Sequence, residues 1–175
     1  MIQLYKRMQR MREKYVDTLA KLYEYATTVY SKNQYTQWYD SKKGGYTYSS
    51  LKAKSDSLSK KLTQYGIGAG DKVAILSQSM PNWSAAFFSI VPFGRIAIPI
   101  LPDSSVNEVT NILEHSESKV IFVSQKLAGK LSQECRDKMT LVIDMDTFEV
   151  LQADDDKFTC DGRTSIPTPD DIATI

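Results

Sequence analysis

Histidine and cysteine are nearly absent, with one of the first and two of the second in 175 residues. Cys135 and Cys160 make no redox-motif or metal-ligand spacing. A single histidine leaves no zinc set of the usual kind. Two distant thiols do not make a disulfide-stapled secreted scaffold. Long apolar runs are missing too. No stretch of about 20 apolar residues exists to span a bilayer, and the N-terminus carries charge without the apolar core of a signal peptide. Charge of one sign is also lacking. The 22 basic and 21 acidic residues leave a net charge of +1, which provides no footprint for nucleic acid.

Catalytic signatures are sparse. There is no Gly-x-Ser-x-Gly elbow and no second histidine beside His115, so a Ser/His/Asp hydrolase has no support. The acids Asp144, Asp146 and Asp154 to Asp156 lack the alternation, glycine and glutamate of a calcium loop, and read as solvated loop acids. Ser77 and Gln78 stand where a phospho-receiver domain would need acids. The run Gly66-Ile67-Gly68-Ala69-Gly70 has the composition of a nucleotide loop but the wrong order. Such a loop follows a strand and opens a helix; this one follows a helix and precedes a strand, so it reads as a helix stop and turn.

The composition that remains is ordinary for a globular protein, with 42% hydrophobic and 25% charged residues. The length fits one domain or one large subdomain, enough to bury roughly two-thirds of the unfolded surface. Charge is unevenly spread. Residues 1–16 hold Lys6, Arg7, Arg10, Arg12 and Lys14 against Glu13 alone. Leu4, Met8, Met11 and Tyr15 fall on one stripe, giving a basic amphipathic N-terminal helix. Three settings fit it: a solvated face, docking on the rest of the protein, or rest on an anionic membrane.

Residues 17–30 have helical spacing, with Leu19, Leu22, Tyr23 and Ala26 on one face. Two short strands, 34–38 and 46–48, flank the Lys42-Lys43-Gly44-Gly45 turn and form a hairpin. Ser49 or Ser50 is expected to cap a helix to about Tyr65, with Gly66 as its left-handed stop. Strands are then expected at 72–76, 95–100, 120–123 and 140–144. Between them stand helices at 83–91, 106–115 and about 126–134. Pro81 opens the first of these, and Ser105 and Glu108 form a capping box on the second. Pro92 should cut the first helix short. Alternating strands and helices specify an α/β fold, a mostly parallel sheet with flanking helices, preceded by a helix and a short β-hairpin. After a polar stretch at 154–165 and a turn at Pro167 to Asp171, Ile172 to Ile175 begins another strand.

Several segments carry a family resemblance. Gly45-Tyr46-Thr47-Tyr48-Ser49-Ser50-Leu51 resembles the "YTY-x-x-L" segment of AMP-forming adenylating enzymes. Gly66 to Leu76 is similar to their "G-(I/V)-x-x-GD-x-VAI" segment. Pro81-Asn82-Trp83, Gly94 to Ile100 and Glu114 to Val123 resemble three further segments, in the family's order. The Ser116-Glu117-Ser118-Lys119 form and Trp83 look most like the long-chain fatty-acyl-CoA ligase branch. Aryl-CoA ligases, peptide-synthetase adenylation domains and a stand-alone α/β binding module are the alternatives.

The resemblance implies that residues 17–175 are a partial AMP-binding domain of a longer enzyme, ending before its phosphate loop. It implies ATP, Mg²⁺ and CoA as cofactors of that enzyme and a fatty acid as its substrate, none of them bound or turned over by this chain alone. The partner would be the rest of the polypeptide. The setting would be cytoplasmic, with peripheral contact at the inner face of the membrane if residues 1–16 reach it. No catalytic or metal-binding residue carries over. One binding element does: the turn Leu101-Pro102-Asp103, which in some relatives contacts CoA, although some of those relatives have Phe-Gly-Gly there.

Overall fold

The computed structural model describes residues 16–39, 44–154 and 162–175. The expected basic helix of residues 1–16 falls almost wholly outside them. Helix α1 (Leu19–Val29) starts at Thr18, whose side chain accepts from the Lys21 amide at 3.2 Å. Strands β1 (Gln34–Gln37) and β2 (Gly45–Thr47) form the antiparallel hairpin. Gly45 lies so close to the Thr36 carbonyl that any Cβ would overlap it.

Helix α2 (Tyr48–Gln64) begins two or three residues earlier than a cap at Ser49 or Ser50 implies. Thr47 is the cap. Its hydroxyl accepts from the Ser50 amide at 3.2 Å, and Ser50 Oγ accepts from the Thr47 amide at 2.9 Å. Ser50 thus fills the reciprocal place usually held by glutamate in a capping box. Gly66 ends the helix at φ +72° as expected. The Ile67 amide reaches the Leu62 carbonyl at 3.0 Å and the Gly66 amide reaches Thr63 at 2.9 Å, a Schellman motif.

A five-stranded sheet follows in the order β4-β3-β5-β6-β7, formed by β3 (Lys72–Leu76), β4 (Ile96–Ile100), β5 (Val120–Val123), β6 (Leu141–Asp144) and β7 (Val150–Ala153). The first four are mutually parallel. Val73, Ile75, Phe122 and Ile143 face one core with α2 and α3 (Pro81–Ile90). Ala74, Leu76, Ile121 and Val142 face the other, with α4 (Val106–His115) and α5 (Gln133–Lys138). This alternation puts helices on both faces and leaves the central strands buried. No residue of α3 is exposed. Pro92 does shorten it, the chain passing into a 3₁₀ turn at Val91–Phe93.

Three local expectations change. The helix expected at about 126–134 is a 3₁₀ segment, Gln125–Lys130, followed by α5, because Ser132 caps a new start by accepting from the Cys135 amide at 3.2 Å. Strand β7 is an addition to the expected series and runs antiparallel to β6. It is an edge strand with every second residue exposed, and its short Val-Leu-Gln-Ala run carries little pattern. In α1, Tyr23 and Thr27 face inward while Leu19 and Leu22 are exposed. Tyr23 stacks on Phe88 at 4.7 Å, and that contact sets the rotation of the helix. Near the C-terminus, Ala97 exchanges hydrogen bonds with Ala173 and Ile175, so the last residues begin a parallel neighbour to β4.

Candidate functional site

Open α/β sheets present ligand sites at the C-terminal ends of their strands, where the strand order reverses. Here the reversal lies between β3 and β5, and it is zipped shut. Ser124 Oγ donates to Gln78 Oε1 at 2.8 Å, and the Ser124 amide donates to the Leu76 carbonyl at 3.1 Å. Gln125 Nε2 donates to Asp144 Oδ2 at 2.7 Å, and the Asp146 amide donates to Asp144 Oδ1 at 2.7 Å. Both oxygens of the buried Asp144 are therefore occupied by protein donors. This polar cluster braces the strand ends and ties up their polar groups.

The open space lies on the other side of β3. A crevice of about 840 Å³ runs between the ends of β3 and β4, the first turn of α3 and strand β1. Its walls include Trp38, Trp83, Met80, Pro99, Leu101 and Pro102. Among the described residues, none of those lining it is charged. Serine and threonine hydroxyls provide much of its polarity, and Thr36 Oγ1 is buried there without a hydrogen-bond partner. Such a space holds an uncharged group with a large apolar surface. Among the described residues it offers no charged side chain to neutralise a phosphate.

The hairpin wall is fixed by one asparagine. Tyr46 Oη donates to Asn82 Oδ1 at 2.8 Å, and Asn82 Nδ2 donates to the carbonyls of Met145 at 2.9 Å and Asp146 at 3.0 Å. Burial raises the Tyr46 pKa, which keeps this hydroxyl a donor. Trp83 is held by stacking on Phe87, with centroids 5.3 Å apart. Asn82 and Tyr46 belong to two sequence segments with no evident connection; the fold joins them.

Of the turn singled out from the sequence, Leu101 is 74% exposed, Pro102 is half-buried and Asp103 is exposed. Leu101 and Pro102 line the crevice; Asp103 does not. The residue that sequence reasoning missed is Lys130, whose Nζ donates to the Pro102 and Ser104 carbonyls at 2.6 and 2.7 Å. Nothing in the local pattern around Lys130 signals that contact across 26 residues.

The donor set also tests the fit to ATP and a metal. The Gly68 amide donates to Asp71 Oδ2 at 2.7 Å, Ala69 to the Arg163 carbonyl at 2.7 Å and Gly70 to the Gly94 carbonyl at 2.8 Å. The glycine-rich turn therefore has no amides to cradle phosphate, in agreement with its position in the sequence. Among the described residues no cluster of three or more His, Cys, Asp or Glu could hold a metal ion. No described helix is long and apolar enough to cross a membrane.

Known proteins are similar to this chain in sequence or in fold. The long-chain-fatty-acid–CoA ligase FadD13 of Mycobacterium tuberculosis is 33% identical over 76 residues, covering 43% of this chain and 15% of that protein. A linear gramicidin synthase of Brevibacillus parabrevis is 27% identical over 114 residues, covering 65% of this chain and 2% of that protein. The crystal structure of the anthranilate CoA ligase AuaEII, in complex with anthranoyl-AMP, superposes with a TM-score of 0.73 at 16% identity, over 90% of this chain and 30% of that one. The chain thus spans less than a third of each. The family model of AMP-binding enzymes matches residues 25–175, nearly all of the described fold, and the chain belongs to that family.

Proposed function

We propose that this chain is the N-terminal part of the AMP-binding region of a long-chain fatty-acid–CoA ligase. In that reaction a fatty carboxylate attacks the α-phosphate of ATP, giving an acyl-adenylate and releasing pyrophosphate. The CoA thiol then attacks the acyl carbon and releases AMP, leaving acyl-CoA. The observation that carries the reading is the uncharged, tryptophan-walled crevice at the strand ends of a chain in this family. It fits the apolar or amide-bearing arm of a substrate, with Leu101 and Pro102 as the CoA-side wall. It does not fit the phosphates of ATP or CoA, or Mg²⁺, whose charge must be met by charged partners and free amides. Those groups would come from the rest of the polypeptide.

Two measurements test the reading. The 175-residue chain should give no ATP-dependent pyrophosphate exchange with any fatty acid; exchange by the pure chain would sink its expected inactivity. The coding sequence beyond Ile175 should continue into a Ser/Thr/Gly-rich loop of the form Tyr-Thr-Ser-Gly-Thr-Thr-Gly. A stop codon there would favour a stand-alone binding module.

A second reading, another branch of the family, is favoured by the range of similar proteins, which includes a gramicidin synthase and an anthranilate CoA ligase. Assay of the longer polypeptide with fatty, aryl and amino acids separates the branches by which acid supports exchange. The basic N-terminal segment carries a separate proposal, contact with an anionic membrane. Liposome co-sedimentation with and without residues 1–16 checks it, and equal binding would remove it.

A further inference from the structure

We infer that Lys130 is a positioning residue that sets the Leu101–Ser104 turn, whose first two residues wall the crevice; the inference rests on reading that crevice as the place of an uncharged substrate arm. The turn closes on itself through one backbone bond, from the Ser104 amide to the Leu101 carbonyl at 3.1 Å. Lys130 adds the clamp from outside. It ends the 3₁₀ segment after β5, and its half-buried ammonium grips the Pro102 and Ser104 carbonyls together.

The placement runs against local electrostatics. Ser105 is the cap of α4, so Lys130 stands at a helix N-terminus, where the backbone dipole disfavours a cation. Glu108 offsets this. Its carboxylate accepts from the Ser105 amide at 2.7 Å and lies within reach of the Lys130 charge. A lysine in such a spot is held by what it grips, here two carbonyls. The grip has a chemical consequence for the crevice. The carbonyls of Pro102 and Ser104 are engaged by Lys130 and that of Leu101 by the Ser104 amide, so the wall offers the Leu101 side chain and the Pro102 ring in place of free acceptors. Lys130 therefore fixes both the position and the apolar character of that wall.

The chain contains two tryptophans, Trp38 and Trp83, and both line the crevice. Intrinsic fluorescence is consequently a reporter of this site. Pantetheine, an uncharged chain with two amides, is the probe. Wild-type chain should give a saturable fluorescence change on titration. Lys130→Met should weaken binding roughly tenfold through lost preorganisation, measured under conditions where urea titration shows the variant fully folded. Lys130→Arg should restore affinity to within about threefold, since a guanidinium can also span two carbonyls. Lys130→Gln, which keeps a single neutral donor group, should fall between and provides the comparison if the methionine variant folds poorly. Hydrogen exchange at the Ser104 amide should accelerate roughly tenfold in Lys130→Met, reporting local opening of the turn.

Equal pantetheine affinity in wild type and Lys130→Met, with Ser104 still protected, would overturn the positioning role while leaving the crevice reading standing. No response from wild type would overturn the crevice reading and the inference with it.

Discussion

Arg95 and Ile67 are joined twice, with Nε and Nη2 of the guanidinium donating to the Ile67 carbonyl at 3.0 and 2.8 Å. The remaining donors reach Ser59 Oγ at 2.8 Å, Thr63 Oγ1 at 2.8 Å and the Ser89 carbonyl at 3.2 Å. Arg95 is fully buried, and its partners are carbonyls and hydroxyls rather than a carboxylate in direct contact. Burial pulls its pKa down to about 10, with Asp71 acting in the opposite direction. At neutral pH it remains charged, held by carbonyls near the end of α2. A helix C-terminus is where a cation is favoured.

Arg95→Met should leave buried carbonyls without donors and should cost about 3–5 kcal/mol, the range for breaking a buried charged network. Arg95→Lys keeps the charge but loses the planar fork, and should still cost about 2 kcal/mol. Urea denaturation checks both. A cost below about 1 kcal/mol for the methionine variant would show that the network can be repacked.

Asn82 is the post that holds the hairpin. Asn82→Ala should destabilise the chain by about 1–3 kcal/mol by stranding the Met145 carbonyl and the Tyr46 hydroxyl. It should also speed proteolysis at the hairpin. In a double-mutant cycle with Tyr46→Phe the costs should fall short of additive, because the two side chains share a bond. Full additivity would refute the coupling.

Tyr23 is 5% exposed, and its hydroxyl lies buried beside Ser55 without a well-formed hydrogen bond. The nearby Ser55 hydroxyl instead donates to the Ala85 carbonyl at 3.1 Å. Burial raises the Tyr23 pKa to about 12. The unfolded chain ionises first, near pH 10, so stability should be intact below that pH and fall as pH rises from about 10 to about 12. Tyr23→Phe should abolish this part of the alkaline loss and stabilise by up to about 1 kcal/mol by removing an unsatisfied group. Thermal melts at pH 8 and pH 11 measure both effects.

Glu117 sits at φ +54°, a left-handed position reached by few non-glycine residues. It closes α4 in a Schellman motif, with Ser118 N to the Leu113 carbonyl at 3.1 Å and Glu117 N to the Glu114 carbonyl at 3.0 Å. In its ion pair with Lys72, at 3.2 Å, the Glu117 side chain is 78% exposed, and the pair contributes little. Glu117→Gly should therefore stabilise the chain by about 0.5–1 kcal/mol as the backbone strain is relieved. A lower melting temperature would show that the ion pair outweighs the strain.

Much of the fold is legible in the sequence because it depends on short-range chemistry. The capping box at Ser105 and Glu108, the left-handed stop at Gly66 and the helix-shortening Pro92 each act within one turn of backbone. The apolar run at 120–123 marks a strand buried on both faces. What escapes is set by competition or by distance. Thr47 displaces Ser49 and Ser50 as the cap because Ser50 fits the reciprocal position better. Strand β7 forms because β6 offers it an edge, not because its own four residues require it.

The candidate site divides in the same way. The amino-acid sequence by itself determined the α/β class, because that follows from periodicity and caps, while the resemblance of its short segments pointed to the family and to the turn Leu101-Pro102-Asp103 as an expectation. Only the tertiary structure decided that the strand-order reversal is closed by Ser124 and Gln78, that Trp38 and Trp83 face one uncharged crevice, and that Lys130 holds its rim. Each of those relationships joins residues at least 26 apart in the chain. Their pairing depends on how strands and helices stack in space, which no local pattern encodes.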